Sequence, residues 1–533
     1  MRMQHIISNR ILSTTVGLLF ITNLMGQWYK ENFIIGTFFD PAIELMDNVL
    51  DSDKYLKNVE LAQDAYFNLF TGVGVSLDMK EYLKLVNIHD SLGIFTLYSL
   101  RYGFSSFNSR FGQGNSYNLE KSNIEGWNLK DEPHISESDT LLNLANYYYK
   151  KASDKLVYVN LLPIYGFETK PEYEDYLDAY LTDTTLKVAS FDFYPFHETY
   201  FQGTYFTNLQ MITERAKDRP VWVCPLTVKH ATYLDPERYH LYFMVFGPLA
   251  YGIKGITYYT YETIKKSESN YVYENALIDT LSTPTSKYFI VKDINRFVSQ
   301  LAGPVIMNST RIGTYHVSEA PFDLEPLDQK YLLNDMTPLI STISNTNILT
   351  GVFRSNADPS SYYLFMHNKN DQSYSNIYVS LKGNHHNNIS VSAPVEEFAS
   401  AKDTFNLPDT YYNSTYNETS FYVDFKPGEL RIVKVMGVDS LLIKRSDYNL
   451  EISVAPNPVY DLIETRFVLA GNSSISLNLV SQNGTLAKGL LSNNYLNKGT
   501  HARSFNISGV NKGVYIVQLV AGGKTASCKI LKF

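Results

Sequence analysis

Asp131 and Glu132 stand side by side at the end of a short apolar stretch, Ile124-Glu125-Gly126-Trp127-Asn128-Leu129-Lys130, and Pro133 follows at once. The stretch reads as a buried strand, stopped by a proline that offers no N–H to a ladder. Two adjacent carboxylates repel when both are ionised, so one of them rises toward the range where a general acid works. Other polar groups end apolar runs in the same way. Asp40 precedes Pro41, Asn160 is the polar member of Leu156–Leu162, Asp192 and Tyr194 precede Pro195, and Tyr258, Tyr259, Tyr261 and Glu262 close the run from Ile253. Singly each reads as a loop cap or rim residue. Together they put acids and tyrosines at the same end of five strands, a pattern suited to acid–base chemistry on a polar substrate.

The elements that must carry these groups recur along the chain. Apolar strands are expected at Phe33–Phe39, Tyr66–Gly72, Gly93–Tyr98, Ile124–Leu129, Leu156–Leu162, Val188–Tyr194, Val221–Pro225 and Ile253–Tyr259, with helical patterns at Asp78–His89, Thr140–Ala152, Glu172–Leu181 and Pro236–Ala250. Their spacing is that of a strand-plus-helix unit, and eight units make an α/β chain into a (β/α)8 TIM barrel. On the fourth strand, alternation puts Asn128, Lys130 and Glu132 on the inner side and Trp127 and Leu129 against the helices. Asp131 then points away from Glu132 unless the strand ends or bulges there, which Pro133 permits. The segment Arg101–Asn123, rich in Ser, Asn and Gly, reads as a long loop at the catalytic face.

A helical linker, Thr285–Leu301, leads out of the barrel. Period-two strands follow at Tyr362–His367, Ile377–Leu381, Phe421–Asp424 and Glu429–Val435, with a turn at Pro427–Gly428, and predict a β-sandwich. The His385–His386 pair lies in a turn with no carboxylate at ligand spacing and reads as a solvated loop. After a polar break a small β module occupies the C-terminus. The expected divisions are 1–26, 27–301, 302–440 and 451–533.

Composition narrows the function. With 46 basic and 54 acidic residues and a net charge of −8, no basic block suggests nucleic acid. Forty-two Tyr and 30 Phe against 3 Trp offer many faces with polar tips, which suit sugar rings as well as cores. Cys224 and Cys528 define neither a disulfide framework nor a thiolate site. There is no Gly-rich phosphate loop and no His cluster at ligand spacing, so neither metal nor organic cofactor is implied. Arg2, His5 and Arg10 precede an apolar run, Ile11–Met25, that turns polar at Gly26–Gln27, the pattern of a secretory signal peptide. No later run is long and apolar enough to span a bilayer.

Two resemblances add to this. The C-terminal module opens Val454-Ala455-Pro456-Asn457-Pro458-Val459, contains Gly513-Val514-Tyr515-Ile516 and ends Lys529-Ile530-Leu531-Lys532. It resembles the C-terminal sorting domain of the type IX secretion system of the Bacteroidota. The resemblance implies export across the outer membrane by that machinery, followed by attachment to the cell surface or release. The phrases Gly126-Trp127-Asn128-Leu129-Lys130-Asp131-Glu132-Pro133, Ser190-Phe191-Asp192-Phe193-Tyr194-Pro195-Phe196 and Tyr251-Gly252-Ile253-Lys254-Gly255-Ile256-Thr257-Tyr258-Tyr259 resemble glycoside hydrolase barrels. That resemblance implies hydrolysis of O-glycosidic bonds in a polysaccharide or other extracellular glycan. Glu132 matches the general acid/base after strand four. The nucleophilic Glu after strand seven has no match, because that strand reads Val221-Trp222-Val223-Cys224-Pro225-Leu226-Thr227.

Two mechanisms accommodate the departure. Asp192 or Glu262 acts as second carboxylate, their separation from Glu132 deciding between retention and inversion. Alternatively the sugar's own 2-acetamido group attacks, as in hexosaminidases with adjacent Asp-Glu, where Asp131 orients the acetamido nitrogen and Tyr194 holds its carbonyl. Asp40, Asn160, Asp192, Tyr194, Tyr259 and Glu262 are the expected substrate-binding residues in either case. A glycan-binding protein on a barrel that has lost catalysis is the rival reading.

Overall fold

The computed structural model describes residues 31–533 apart from 40–50, 74–78, 100–123, 183, 264–272, 319–326, 328, 335–336, 399–403, 440–449, 451, 470–471, 482–484, 498 and 522–523. The expected signal peptide, Asp40 and the segment 101–123 expected as a loop lie outside the described residues.

Eight parallel strands close into a barrel in chain order. They are β1 (Ile34–Thr37), β2 (Leu69–Val73), β3 (Phe95–Ser99), β4 (Ile124–Asp131), β5 (Leu156–Leu161), β6 (Ala189–Asp192), β7 (Val221–Cys224) and β8 (Gly255–Tyr258). Around them run α1 (Ser52–Asp64), α2 (Met79–Ser91), α3 (Ser138–Lys151), α4 (Lys170–Leu181), α5 (Tyr205–Ala216), α6 (Arg238–Ala250) and α7 (Ser286–Phe297). The strands fill the barrel with Ile34, Leu69, Leu97, Leu156, Tyr158 and Trp222. Gly255 is required beside Trp222, since a Cβ there would lie 2.4 Å from the indole. Alternate residues such as Trp127, Val157, Val159 and Phe191 face outward against the helices.

A six-stranded and a four-stranded antiparallel sheet follow and enclose a core of Ile340, Val352, Leu364, Met366, Val379, Phe421 and Val433. The larger sheet is buried on both faces. Its outer residues Leu349, Phe353, Phe365, Leu430 and Ile432 join the barrel's helical core. Strand Ile348–Ser355 meets α6 so closely that a Cβ at Gly351 would sit 2.2 Å from Ala250 O. Helix α6 is therefore covered on both sides, and Leu241 through Ala250 are all buried. His385 departs from the solvated-loop reading: it is buried, its N–H donating to Thr419 Oγ1 (2.8 Å) and its Nε2 2.9 Å from Lys382 O, while His386 stays exposed. The turn folds back onto the sheet edge and takes the first histidine with it.

The C-terminal module packs a three-stranded sheet on a four-stranded one around its own core of Val459, Ile463, Phe467, Leu477, Val517, Leu519 and Ile530. Asn457 stitches its opening to its last strand, donating to Lys529 O (2.9 Å) and accepting from Leu531 N (3.0 Å).

Candidate active site

The regular alternation of β4 breaks just before its end. Asn128 pairs with Tyr158 of β5, Lys130 with Val159 and Asp131 with Asn160, so Leu129 is an extra residue. A bulge of this kind reverses which side each later residue faces. Asp131, level with inward-facing Asn160, turns into the barrel. Lys130, expected on the inner side, is instead drawn to the rim, where it pairs with Glu137 at 3.0 Å. Glu132 follows in a left-handed conformation (φ 44°) with its N–H on Asn160 O at 2.9 Å. The two acids thus reach the same mouth even though they are neighbours in sequence.

Asn160 holds the acids in place. Its Nδ2 donates to Asp131 Oδ1 (3.2 Å) and Asp192 Oδ1 (2.8 Å). Its own Oδ1 accepts from Ser190 Oγ (3.0 Å), which in turn meets Tyr158 OH at 2.7 Å. The amide is thereby committed to protein groups on the two neighbouring strands, β4 and β6, and its role is to position the carboxyls.

Burial first, and charge crowding after it, set their ionisation. Glu132 is exposed at the mouth, yet its carboxyl is pushed up to about 6, first by loss of surrounding water and then by repulsion from Asp131. Asp192 is 8% exposed, and burial, with Glu132 and Asp131 beside it, raises it well above the usual carboxylate range, against the pull of the Asn160 hydrogen bond. Cys224, paired with Asp192 across β6 and β7, has a thiol held well up by burial and by the Asp192 charge.

Aromatic rings wall the mouth. Tyr194 stacks on Tyr259 (6.0 Å) and meets Tyr233 edge-on (5.3 Å). Its hydroxyl points down to Cys224 Sγ at 3.8 Å. Tyr259 also packs on Phe38 and Phe39 and donates to Tyr273 OH at 3.3 Å, and Tyr273 stacks on His230 at 4.5 Å. The Tyr165 and Tyr233 hydroxyls share a hydrogen bond, and both phenols are raised by burial and by the charges of Asp192 and Glu132. Beside Asp131 a small hollow is lined by Phe38, Phe39, Gly72, Ser99, Asn128 and Lys130.

The structure therefore brings Asp131, Glu132, Asn160 and Asp192 together, with Tyr194 and Tyr259 in the wall. Glu262 pairs with Lys54 at the start of α1, 3.6 Å away. Tyr165, His230, Tyr233 and Tyr273 belong to the wall and were not singled out by the sequence. They sit on loops after β5, β7 and β8 in a chain with 42 tyrosines, so residue type alone could not mark them.

Fold and site define a (β/α)8-barrel protein with a crowded acid cluster at the strand ends, a β-sandwich partner and a separate C-terminal module. Residues 453–532 match the family model of the secretion system C-terminal sorting domain, so the chain ends in the module that marks a protein for export. No curated protein sequence matches the chain. Among solved structures it is similar to β-galactosidase from the psychrophilic Marinomonas ef1 (TM-score 0.40, 9% identity, 53% of this chain and 63% of that one). It is also similar to γ-CGTase from alkalophilic Bacillus clarkii (0.37, 10%, 95% and 83%) and to a family 5 glycoside hydrolase mannosidase from Rhizomucor miehei (0.34, 9%, 52% and 94%). The chain thus spans somewhat less than two thirds of the first of these, and likeness at this level is one of fold class alone. No helix among the described residues is long and apolar enough to cross a membrane.

Proposed function

We propose that this is an exported glycoside hydrolase, displayed at the outer-membrane surface or released, in which Glu132 is the general acid/base. The observation that carries the reading is the Glu132 carboxyl, raised to about 6 beside Asp131 and opposite a tyrosine wall. A group poised there is protonated often enough to donate and basic enough to take the proton back.

Substrate assistance is the mechanism these groups favour. Strand β7 ends in Cys224-Pro225-Leu226-Thr227 without an acid, Glu262 is paired with Lys54, and Asp192 is buried, its carboxyl raised well above the ordinary range, and tied to Asn160. Glu132 would protonate the glycosidic oxygen as the bond to the anomeric carbon breaks. The carbonyl oxygen of a 2-acetamido group would form the new bond to that carbon, its N–H donated to Asp131. Water, deprotonated by Glu132, would then open the cyclic intermediate. Tyr194 and Tyr259 supply ring faces, and the depth of the Tyr194 hydroxyl favours that use over a contact with the acetamido carbonyl.

The test is reducing-end release by the mature chain on a panel of N-acetylhexosamine glycans and neutral polysaccharides, with Glu132→Gln alongside. Activity confined to acetamido sugars and absent from the variant is expected. Hydrolysis of sugars lacking the acetamido group would replace assistance with a second carboxylate. Binding without hydrolysis would make the chain a glycan-binding protein, the reading that the missing strand-seven acid favours.

A further inference from the structure

Behind the aromatic wall sits a lysine that the acid–base chemistry does not use. Lys287, in the first turn of α7, is 3% exposed and commits all three of its N–H donors to protein. Its Nζ donates to Thr227 O at 3.2 Å, to Asn275 O at 2.5 Å and to the Asp235 carboxylate. The other Asp235 oxygen accepts from Asn275 Nδ2 at 2.8 Å, which closes the ring of contacts. Thr227 and Asp235 bound the segment that leaves β7 and enters α6, and that segment carries His230 and Tyr233. Asn275 directly follows the short strand Tyr273–Glu274, which pairs antiparallel with Lys229–His230. One ammonium therefore grips both ends of the loop and the ribbon opposite it. Burying an ammonium is costly unless every donor is matched, as it is here.

We propose that Lys287 is a positioning residue for the substrate: its clasp on Thr227, Asp235 and Asn275 fixes where His230, Tyr233 and Tyr273 stand relative to Asp131, Glu132 and Asp192. The substrate part rests on the function proposed above; the clasp itself does not. The loop keeps other anchors, Thr227 to the backbone of Tyr259 and Thr260 at its start and Leu234 N–H on Phe196 O (3.0 Å) with Thr232 O accepting from Glu198 N–H (3.1 Å) toward its end, so removing the ammonium loosens the Asp235 side and the Asn275 ribbon without disturbing β7.

Hydrogen exchange and steady-state kinetics on the full chain test this with Lys287→Met. Lys292→Met is the control, since Lys292 lies on the same helix and pairs only at the surface, with Asp64 at 2.6 Å. In Lys287→Met, exchange over residues 227–235 and 273–275 should rise about tenfold while β1–β5 stay as in the parent. KM for the Glu132-dependent substrate should rise about tenfold with a much smaller fall in kcat. In Lys292→Met neither should move. Unchanged exchange in the loop, or kinetics in Lys287→Met equal to those of Lys292→Met, overturns the proposal. If Lys287→Met does not fold, Asp235→Asn must show the same local pattern at smaller size, and its absence there also overturns it. A parent chain that hydrolyses nothing would count against Glu132, whereas the exchange experiment would still decide whether the clasp holds the loop.

Discussion

At the scale of single residues the chemistry rests on burial and crowding. Glu132 holds its proton more tightly in the folded chain than in the unfolded one. The stability gained from the protonated group is present in full below the ordinary glutamate range and is lost as pH rises through about 6. Glu132→Gln should therefore raise the thermal midpoint at pH 7.5 and leave it unchanged at pH 4, while hydrolysis falls by about 10²–10⁴. For the parent, kcat/KM should decline above pH 6 as the acid ionises, which a pH–rate profile reads directly. Asn160→Ala leaves Asp131, Asp192 and Ser190 each short of a partner. It should cost about 1–3 kcal/mol in urea unfolding and lower kcat on the order of a hundredfold through misplaced acids. The acids themselves were legible in the sequence, because Asp131-Glu132-Pro133 has no good packing explanation. The purpose of Asn160 was not, since an inward polar residue looks the same whether it meets a sugar or a carboxyl.

At the scale of elements, all eight strands were visible as apolar runs, because parallel strands covered on both faces read that way. Helices α1 and α5 were not. Nearly every residue of α5 is buried, polar ones included, so it shows no stripe, and the stripe of α1 is only Tyr55, Asn58, Val59 and Ala62. The bulge at Leu129 was anticipated only as a way out of a parity conflict, since one extra residue in a strand leaves no mark on composition. It makes a sharp prediction. Deleting Leu129 should restore simple alternation with Asp131 still level with Asn160 and facing inward, so hydrolysis should survive while the loss of a buried leucine lowers the thermal midpoint.

At the scale of the molecule, the barrel and sandwich share a core through α6, whereas the C-terminal module keeps its own. A chain ended at residue 440 should therefore melt within about 2 °C of the full protein in its main calorimetric transition and keep its activity, but stay inside the cell that makes it. The shared helix also bears on the passage out of the cell. A chain bound for export meets a bilayer before it folds, and α6 is then an apolar run with no sandwich to cover it. Its 13 residues span roughly 20 Å as a helix, against roughly 30 Å of hydrocarbon. The segment that welds two domains together is thus short enough to pass a translocation channel without lodging there, and a few more leucines would turn it into a membrane anchor.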